Sequence, residues 1–183
     1  MDSMDLNPPE APAGSVRVQR ALWRHWGTPA GIYGTIVYAS VVAASSGGAA
    51  SQGDALHVLV FSLVSIVVFW LAHVYSTALG FHADDESVRA RIVDSLRHAL
   101  FESSGMLEAA VVPSIPLLLA ALGVLSAQTG VLVSLWLTVL LLALLGYLVF
   151  LIRGRSVWIC LTGAVVTGLF GVVVILLKVT LQH

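Results

Sequence analysis

Residues 131–152 read VLVSLWLTVLLLALLGYLVFLI, an apolar stretch without a single charged side chain. A helix needs about 20 mostly apolar residues to cross the roughly 30 Å of hydrocarbon in a bilayer. Four further stretches resemble it, so the sequence predicts five membrane spans, at about 28–46, 55–79, 106–127, 131–152 and 157–180. Backbone groups in lipid must be paired within their own segment, and the runs do not alternate as barrel strands do. We therefore expect an all-α membrane protein.

The composition of the whole chain agrees with a lipid environment. Of its 183 residues 58% are hydrophobic and only 10% are charged, whereas about a quarter are charged in soluble domains. The net charge of −1 gives no electrostatic reason to expect nucleic acid as a partner. Cys160 is the one cysteine, so no internal disulfide can form. The chain has no phosphate-binding glycine loop, HExxH or GxSxG motif, and we expect neither an enzyme nor a cofactor.

The positions of the arginines predict the orientation. Segment 1–27, expected to be disordered and basic, precedes the first span of the membrane domain 28–183. Its arginines and those of two loops lie on one side of a five-span bundle: Arg17, Arg20, Arg24, Arg89, Arg91, Arg97, Arg153 and Arg155. Loops rich in arginine stay in the cytoplasm. We expect a multi-pass protein of the cell (plasma) membrane, with a cytoplasmic N-terminus and an extracytoplasmic C-terminus.

A charged segment between spans two and three predicts one cytoplasmic amphipathic helix, at about 84–104. Capping residues begin it, and Ser103, Ser104 and Gly105 should end it, so that Glu108 falls in the first turn of span three. The helix should lie on the inner bilayer surface or pack beneath the bundle. Asp94, His98 and Glu102, four residues apart, share one face. This spacing fits a divalent metal site, and it equally fits a solvated face with ordinary ion pairs.

Polar side chains inside the spans are the other candidates for function, because they are costly in hydrocarbon. We expect Tyr38, His73, Tyr75 and Glu108 to line a polar seam between spans one, two and three, with His73 and Glu108 in contact. Pro113 and Pro116 are expected to kink span three beside it. The alternative is ordinary hydrogen bonding between helices, with Glu108 at the headgroups.

Small residues mark a packing face on span five. Gly163, Ala164, Gly168 and Gly171 form a ridge that permits close approach of another helix, either within the bundle or in a homodimer. Span four lacks such features, and we expect much of its surface to face lipid.

Two resemblances follow from these residues. The run Phe69-Trp70-Leu71-Ala72-His73-Val74-Tyr75 is similar to one in a family of small, uncharacterised actinobacterial integral membrane proteins. The layout also resembles the vacuolar iron transporter family, through Gly31-Ile32-Tyr33-Gly34, the end of span two, and the prolines of span three. That family has an aspartate where Tyr33 stands and a glutamate where Val74 stands, so its metal ligands are not retained. The resemblance therefore implies the topology but not iron transport.

Two functions follow as hypotheses. The first is a small transporter or channel for a cation, a proton or a divalent metal ion as substrate, that uses the polar seam. The second is a non-catalytic accessory or assembly subunit of a larger membrane complex. A chain of this size often needs a copy of itself to enclose a pathway, so a homodimer is expected.

Overall fold

The structure is a computed structural model that describes residues 29–48, 50–80 and 88–181. Those residues form five helices, and the predicted all-helical fold is confirmed for them. Segment 1–27 and the start of the predicted amphipathic helix at 84–87 lie outside the described residues. The helices are α1 Pro29–Ser45, α2 Gln52–Gly80, α3 Val88–Ala121, α4 Ala127–Ile152 and α5 Val157–Leu181.

Four of these helices are long and apolar enough to cross a bilayer: α2, α3 from Val93, α4 and α5. Large apolar side chains cover their outer surfaces, as a lipid environment requires. The 17 residues of α1 extend about 25 Å, which is short for a span. This helix buries small residues around most of its circumference and touches all four others. The prediction that the first span packs against other helices is confirmed.

The largest departure from the prediction concerns α3. Residues 88–121 form one continuous helix, and the expected end of an amphipathic helix at Ser103-Ser104-Gly105 is absent. Both serines are accommodated within the helix: the hydroxyl of Ser104 donates to the carbonyl of Phe101, and Ser103 is buried. A helix of 34 residues is about 51 Å long, well beyond the thickness of hydrocarbon. The prediction of a separate helix on the membrane surface is therefore wrong for the described residues.

The predicted end of span three is wrong as well. The helix ends at Ala121, and the next begins at Ala127, so Gln128 and Gly130 lie within α4 and not in a loop. Gly123 has a φ of 80°, and the N–H groups of Gly123 and Val124 bond to carbonyls of Ala120 and Leu119 at 3.0 and 2.9 Å. This paired pattern around a left-handed glycine stops a helix even within an apolar sequence.

Contacts along the helices fix their relative directions. Gly34 of α1 lies against Met106, and Tyr38, one turn later, bonds to Ser114, so α1 and α3 run parallel. Ala55, near the start of α2, clusters with Ala120 near the end of α3, so these two run antiparallel. The α3–α4 and α4–α5 pairs are also antiparallel. The N-terminal ends of α1, α3 and α5 therefore lie at one end of the bundle, together with Arg97, Arg153 and Arg155.

The glycine ridge of α5 packs against α4. A methyl group on Gly163 would lie 2.9 Å from the carbonyl of Gly146, and one on Gly171 would lie 2.9 Å from Val139. Gly168 adjoins Ala143 and Ala164 is half-buried beside it. The ridge therefore packs within one chain, which is the first of the two uses that the sequence left open.

Helix α4 exposes one side, which includes Leu140 at 65%, as expected for a span that faces lipid on much of its surface, and it buries the other side. Ser134 and Thr138 of α4 are fully or almost fully buried, together with a long series of its leucines. Thr167 of α5 adds a hydrogen bond between the helices, from its hydroxyl to the carbonyl of Leu142 at 2.9 Å. Helix α4 is thus held from two sides, by α3 and by α5.

Candidate functional site

Three hydroxyl groups meet where α1, α3 and α4 approach each other. Tyr38 is completely buried, and its phenolic oxygen lies 2.7 Å from the hydroxyl oxygen of Ser114. Ser134 of α4 adjoins the same phenol and donates to the carbonyl of Pro113 at 2.6 Å. The polar seam that was predicted between spans one, two and three thus includes Tyr38, but its partners come from α3 and α4.

The hydroxyl groups at and near this meeting point also bond to backbone carbonyls. Ser114 also lies 2.7 Å from the carbonyl of Ala110, and Thr138 donates to the carbonyl of Ser134 at 2.8 Å. Thr35, also buried, donates to the carbonyl of Gly31 in its own helix. These three bonds stay within single helices and satisfy the hydroxyl donors in a medium without water, whereas the bonds Tyr38–Ser114 and Ser134–Pro113 join helices. The arrangement is that of a packed interface.

Sequence reasoning missed Ser114 and Ser134. Each is a lone hydroxyl in a long apolar run, and such residues are enriched where membrane helices meet. That enrichment was the available signal. It says that a serine faces a neighbouring helix without saying which one.

His73 lies near one end of the bundle and stacks on Tyr33 of α1. Their ring centroids are 6.0 Å apart and the ring planes differ by 26°. His73 is half-buried, whereas Tyr75 is 67% exposed and does not face the interior. Among the residues that the structure describes, no hydrogen bond or ion pair joins His73 to Glu108, so the expected contact between them is absent.

Because α3 is continuous, His73 and Glu108 lie at different depths and do not meet. Ala55 and Ala120 lie at the same level of the bundle. Eighteen residues separate Ala55 from His73 and twelve separate Ala120 from Glu108, which correspond to about 27 and 18 Å along the helices. The two side chains are therefore about 9 Å apart in depth. Glu108 lies far from the first turn of a span, close to the middle of the helix bundle.

Glu108 also points away from the core of the bundle. The most buried positions of α3, Met106, Ala110 and Leu117, lie on the opposite side of the helix. Its own neighbours one turn onward and two turns onward are Val111 and Ile115, which are 62% and 51% exposed. We call Glu108, Val111 and Ile115 the Glu108 face. The carboxylate itself is half-buried.

No side chain in the described part of the protein neutralises Glu108. Neither a hydrogen bond nor an ion pair involves its carboxylate. Arg97, eleven residues earlier on α3, lies about 16 Å away along the axis. Arg153 begins the turn after α4, 26 residues from Ala127 at the far level, and is about 20 Å from Glu108 in depth. A carboxylate at this position is costly in hydrocarbon unless a partner or a proton removes its charge.

The candidate metal ligands do not converge. Nε2 of His98 lies 3.5 Å from Oε2 of Glu102, with both side chains about half exposed. Asp94, one turn earlier, is exposed and takes no part in this pair. Within the described ranges, no group of three histidine, cysteine, aspartate or glutamate side chains could hold a metal ion. The spacing of the three residues thus produces an exposed pair, the solvated face that was the alternative.

Three further polar atoms are buried without a hydrogen-bond partner in the described structure: Ser62 Oγ, Trp70 Nε1 and Ser103 Oγ. They belong to α2 and α3. Measured from the Ala55–Ala120 level, Trp70 and Ser103 lie at about 22 and 25 Å, so they occupy nearly the same depth. Such groups are rare in protein interiors, where nearly all buried donors are paired.

No protein-family model, curated protein or solved structure matches the chain.

Proposed function

We propose that this protein is an accessory or assembly subunit of a larger membrane complex in the cell membrane. It has five spans, α1 to α5, with the N-terminus in the cytoplasm and the C-terminus outside. The alternating directions of the helices support this topology, since Arg97, Arg153 and Arg155 lie at one end of the bundle. An excess of arginine marks the cytoplasmic side.

The observation that carries the proposal is the outward position of Glu108. A carboxylate in the middle of a membrane helix, with exposed apolar neighbours, requires a partner that the described chain does not supply. The interior of the bundle, by contrast, holds hydroxyl groups that bond to backbone carbonyls, as in a packed core. The three buried polar atoms without a partner belong to neutral side chains, whereas the unpaired carboxylate of Glu108 faces outward.

A photo-crosslinking amino acid at Val111 tests this function in native membranes. We expect a single covalent adduct of defined mass with a second polypeptide, because Val111 adjoins Glu108. The same group at Leu140 of α4, which is 65% exposed, should cross-link to lipid and give no such adduct. Equal results at the two positions would refute the assembly role. Purified protein in proteoliposomes should show no flux of protons, Mn²⁺ or Fe²⁺.

A cation transporter or channel is the second candidate. What favours it is the set of buried, unpaired polar atoms on α2 and α3, Ser62 Oγ, Trp70 Nε1 and Ser103 Oγ, with His73 at a similar depth. A polar path along α2 and α3 would use these groups, with Glu108 about 9 Å deeper in the membrane than His73, within the pair of copies that a homodimer provides.

The flux experiment separates the two functions. A transporter moves protons or divalent metal in proteoliposomes that contain this chain alone, and Glu108→Gln or His73→Ala reduces the rate. An assembly subunit shows no flux in either form, and the same substitutions change the retention of its partner.

A further inference from the structure

We infer that the Glu108 face binds a membrane helix of another protein that presents a cationic side chain, lysine or arginine, near the middle of the bilayer. This inference rests on the assembly function proposed above and specifies the chemistry of the partner. It concerns one surface, made by Glu108, Val111 and Ile115 of α3.

The depth of Glu108 selects the partner. Glu108 is about 18 Å from the level at which α3 ends, so in hydrocarbon roughly 30 Å thick it lies close to the middle. Water and lipid headgroups are out of reach of a glutamate side chain at that depth. A soluble partner or a headgroup therefore cannot supply the missing charge, whereas a membrane-spanning helix can.

Charge decides between a second copy and a different protein. A second copy of this chain offers Glu108 itself at the same depth, and two carboxylates repel each other. The basic side chains that the structure describes lie elsewhere: Arg97 and Arg153 are about 16 and 20 Å away in depth, and Lys178 is near the opposite end of the bundle, three residues before the end of α5. The complementary group must come from a protein of different sequence.

The surroundings of Glu108 suit a helix partner. Val111 and Ile115 project beside it at one and two helical turns, and both are more than half exposed. A helix that crosses α3 there covers these apolar side chains and brings its cation to the carboxylate. Such pairing within the membrane stabilises both charges, because each alone is costly in hydrocarbon.

A synthetic membrane helix provides the probe. It consists of leucine and alanine with one lysine at its centre, and it carries a fluorescence acceptor. The protein carries a donor at Gln128→Cys in a Cys160→Ala background, in phosphatidylcholine vesicles. We expect the lysine helix to associate at least about fivefold more tightly than the same helix with leucine at that position. Glu108→Gln should abolish this difference, and Glu102→Gln, an exposed carboxylate of the same helix, should preserve it.

Two results would overturn the inference. One is equal association of the lysine and leucine helices, or an association that Glu108→Gln leaves unchanged. The other is self-association of the donor-labelled protein that depends on Glu108, which would make a second copy the partner. The inference and the assembly function can fail separately. If the Val111 adduct persists in the Glu108→Gln variant, the assembly function stands and only the proposed charge pair is refuted.

Discussion

Replacing Gly34 by alanine should destabilise the bundle, although alanine favours helices. A methyl group on Gly34 would lie 2.7 Å from Cα, O and Cγ of Met106. Contact between non-bonded carbon atoms is optimal near 3.5–4.0 Å, so α1 and α3 must separate by about 0.8 Å or more. Two of the three atoms belong to the backbone of α3, and a side-chain rotation of Met106 cannot relieve that part of the clash.

The magnitude follows from this separation. A gap of 0.5–1 Å removes about a quarter to a half of the dispersion energy of each contact, which is about 0.1–0.2 kcal/mol per atom pair. Over some thirty pairs between α1 and α3, the loss is about 1–3 kcal/mol. The higher helix propensity of alanine returns up to about 1 kcal/mol. The net loss is therefore about 0–2 kcal/mol, or a fall in Tm of up to about 8 °C for a chain of this length.

Thermal unfolding in detergent can be followed with a fluorogenic thiol reagent, since Cys160 is the only cysteine and is fully buried. Gly53→Ala is the matched control, because a methyl group there meets only Ser51 Oγ, at 3.6 Å. The control should leave Tm unchanged or slightly raised. A Gly34→Ala protein that is more stable than the wild type by about 1 kcal/mol, the full gain in helix propensity, would refute the close contact of α1 with α3 at Met106.

Three further changes have expected outcomes. Tyr38→Phe removes the buried bond to Ser114 and should lower the free energy of unfolding by about 1 kcal/mol, measured by denaturant titration of the same thiol signal. Asp54→Ala removes the bonds from the N–H and hydroxyl of Ser51, at 2.9 and 2.8 Å, and should lower the denaturant concentration at the midpoint of unfolding; a variant that unfolds like the wild type would show that this cap is unimportant. Cys160 in the folded protein should resist a membrane-permeant maleimide for as long as the bundle stays intact, and rapid labelling in native vesicles would contradict its burial.

The fate of the predicted site shows what a sequence pattern omits. The prediction of Glu108 at the membrane surface depended on a helix end at Ser103-Ser104-Gly105. Serine and glycine end helices in water, where their backbone groups find other partners. Beside an apolar bundle those alternatives are absent, and the helix continues. Glu108 consequently lies deeper than predicted and apart from His73.

The second difficulty is to predict which side of a membrane helix faces lipid. In a soluble protein the polar side points to water, but both sides of a membrane helix are apolar, so periodicity does not identify the side that faces lipid. For this reason the sequence did not show that Ser134 and Thr138 of span four are buried against other helices. For the same reason Glu108 was assigned to an interior seam.

Apolar length and internal hydrogen bonding leave few alternatives in lipid, so the sequence alone was enough to predict helices that can cross a membrane, the positions of most of the long ones, and the packing of the first helix against others. That α3 is one helix, that the ridge around Gly168 packs on α4, and that Tyr38 bonds to Ser114 became known only from the folded arrangement. Those facts depend on contacts between residues distant in sequence. Local composition determines whether a segment is a helix, and packing of whole helices against each other determines where it ends and which of its sides is buried.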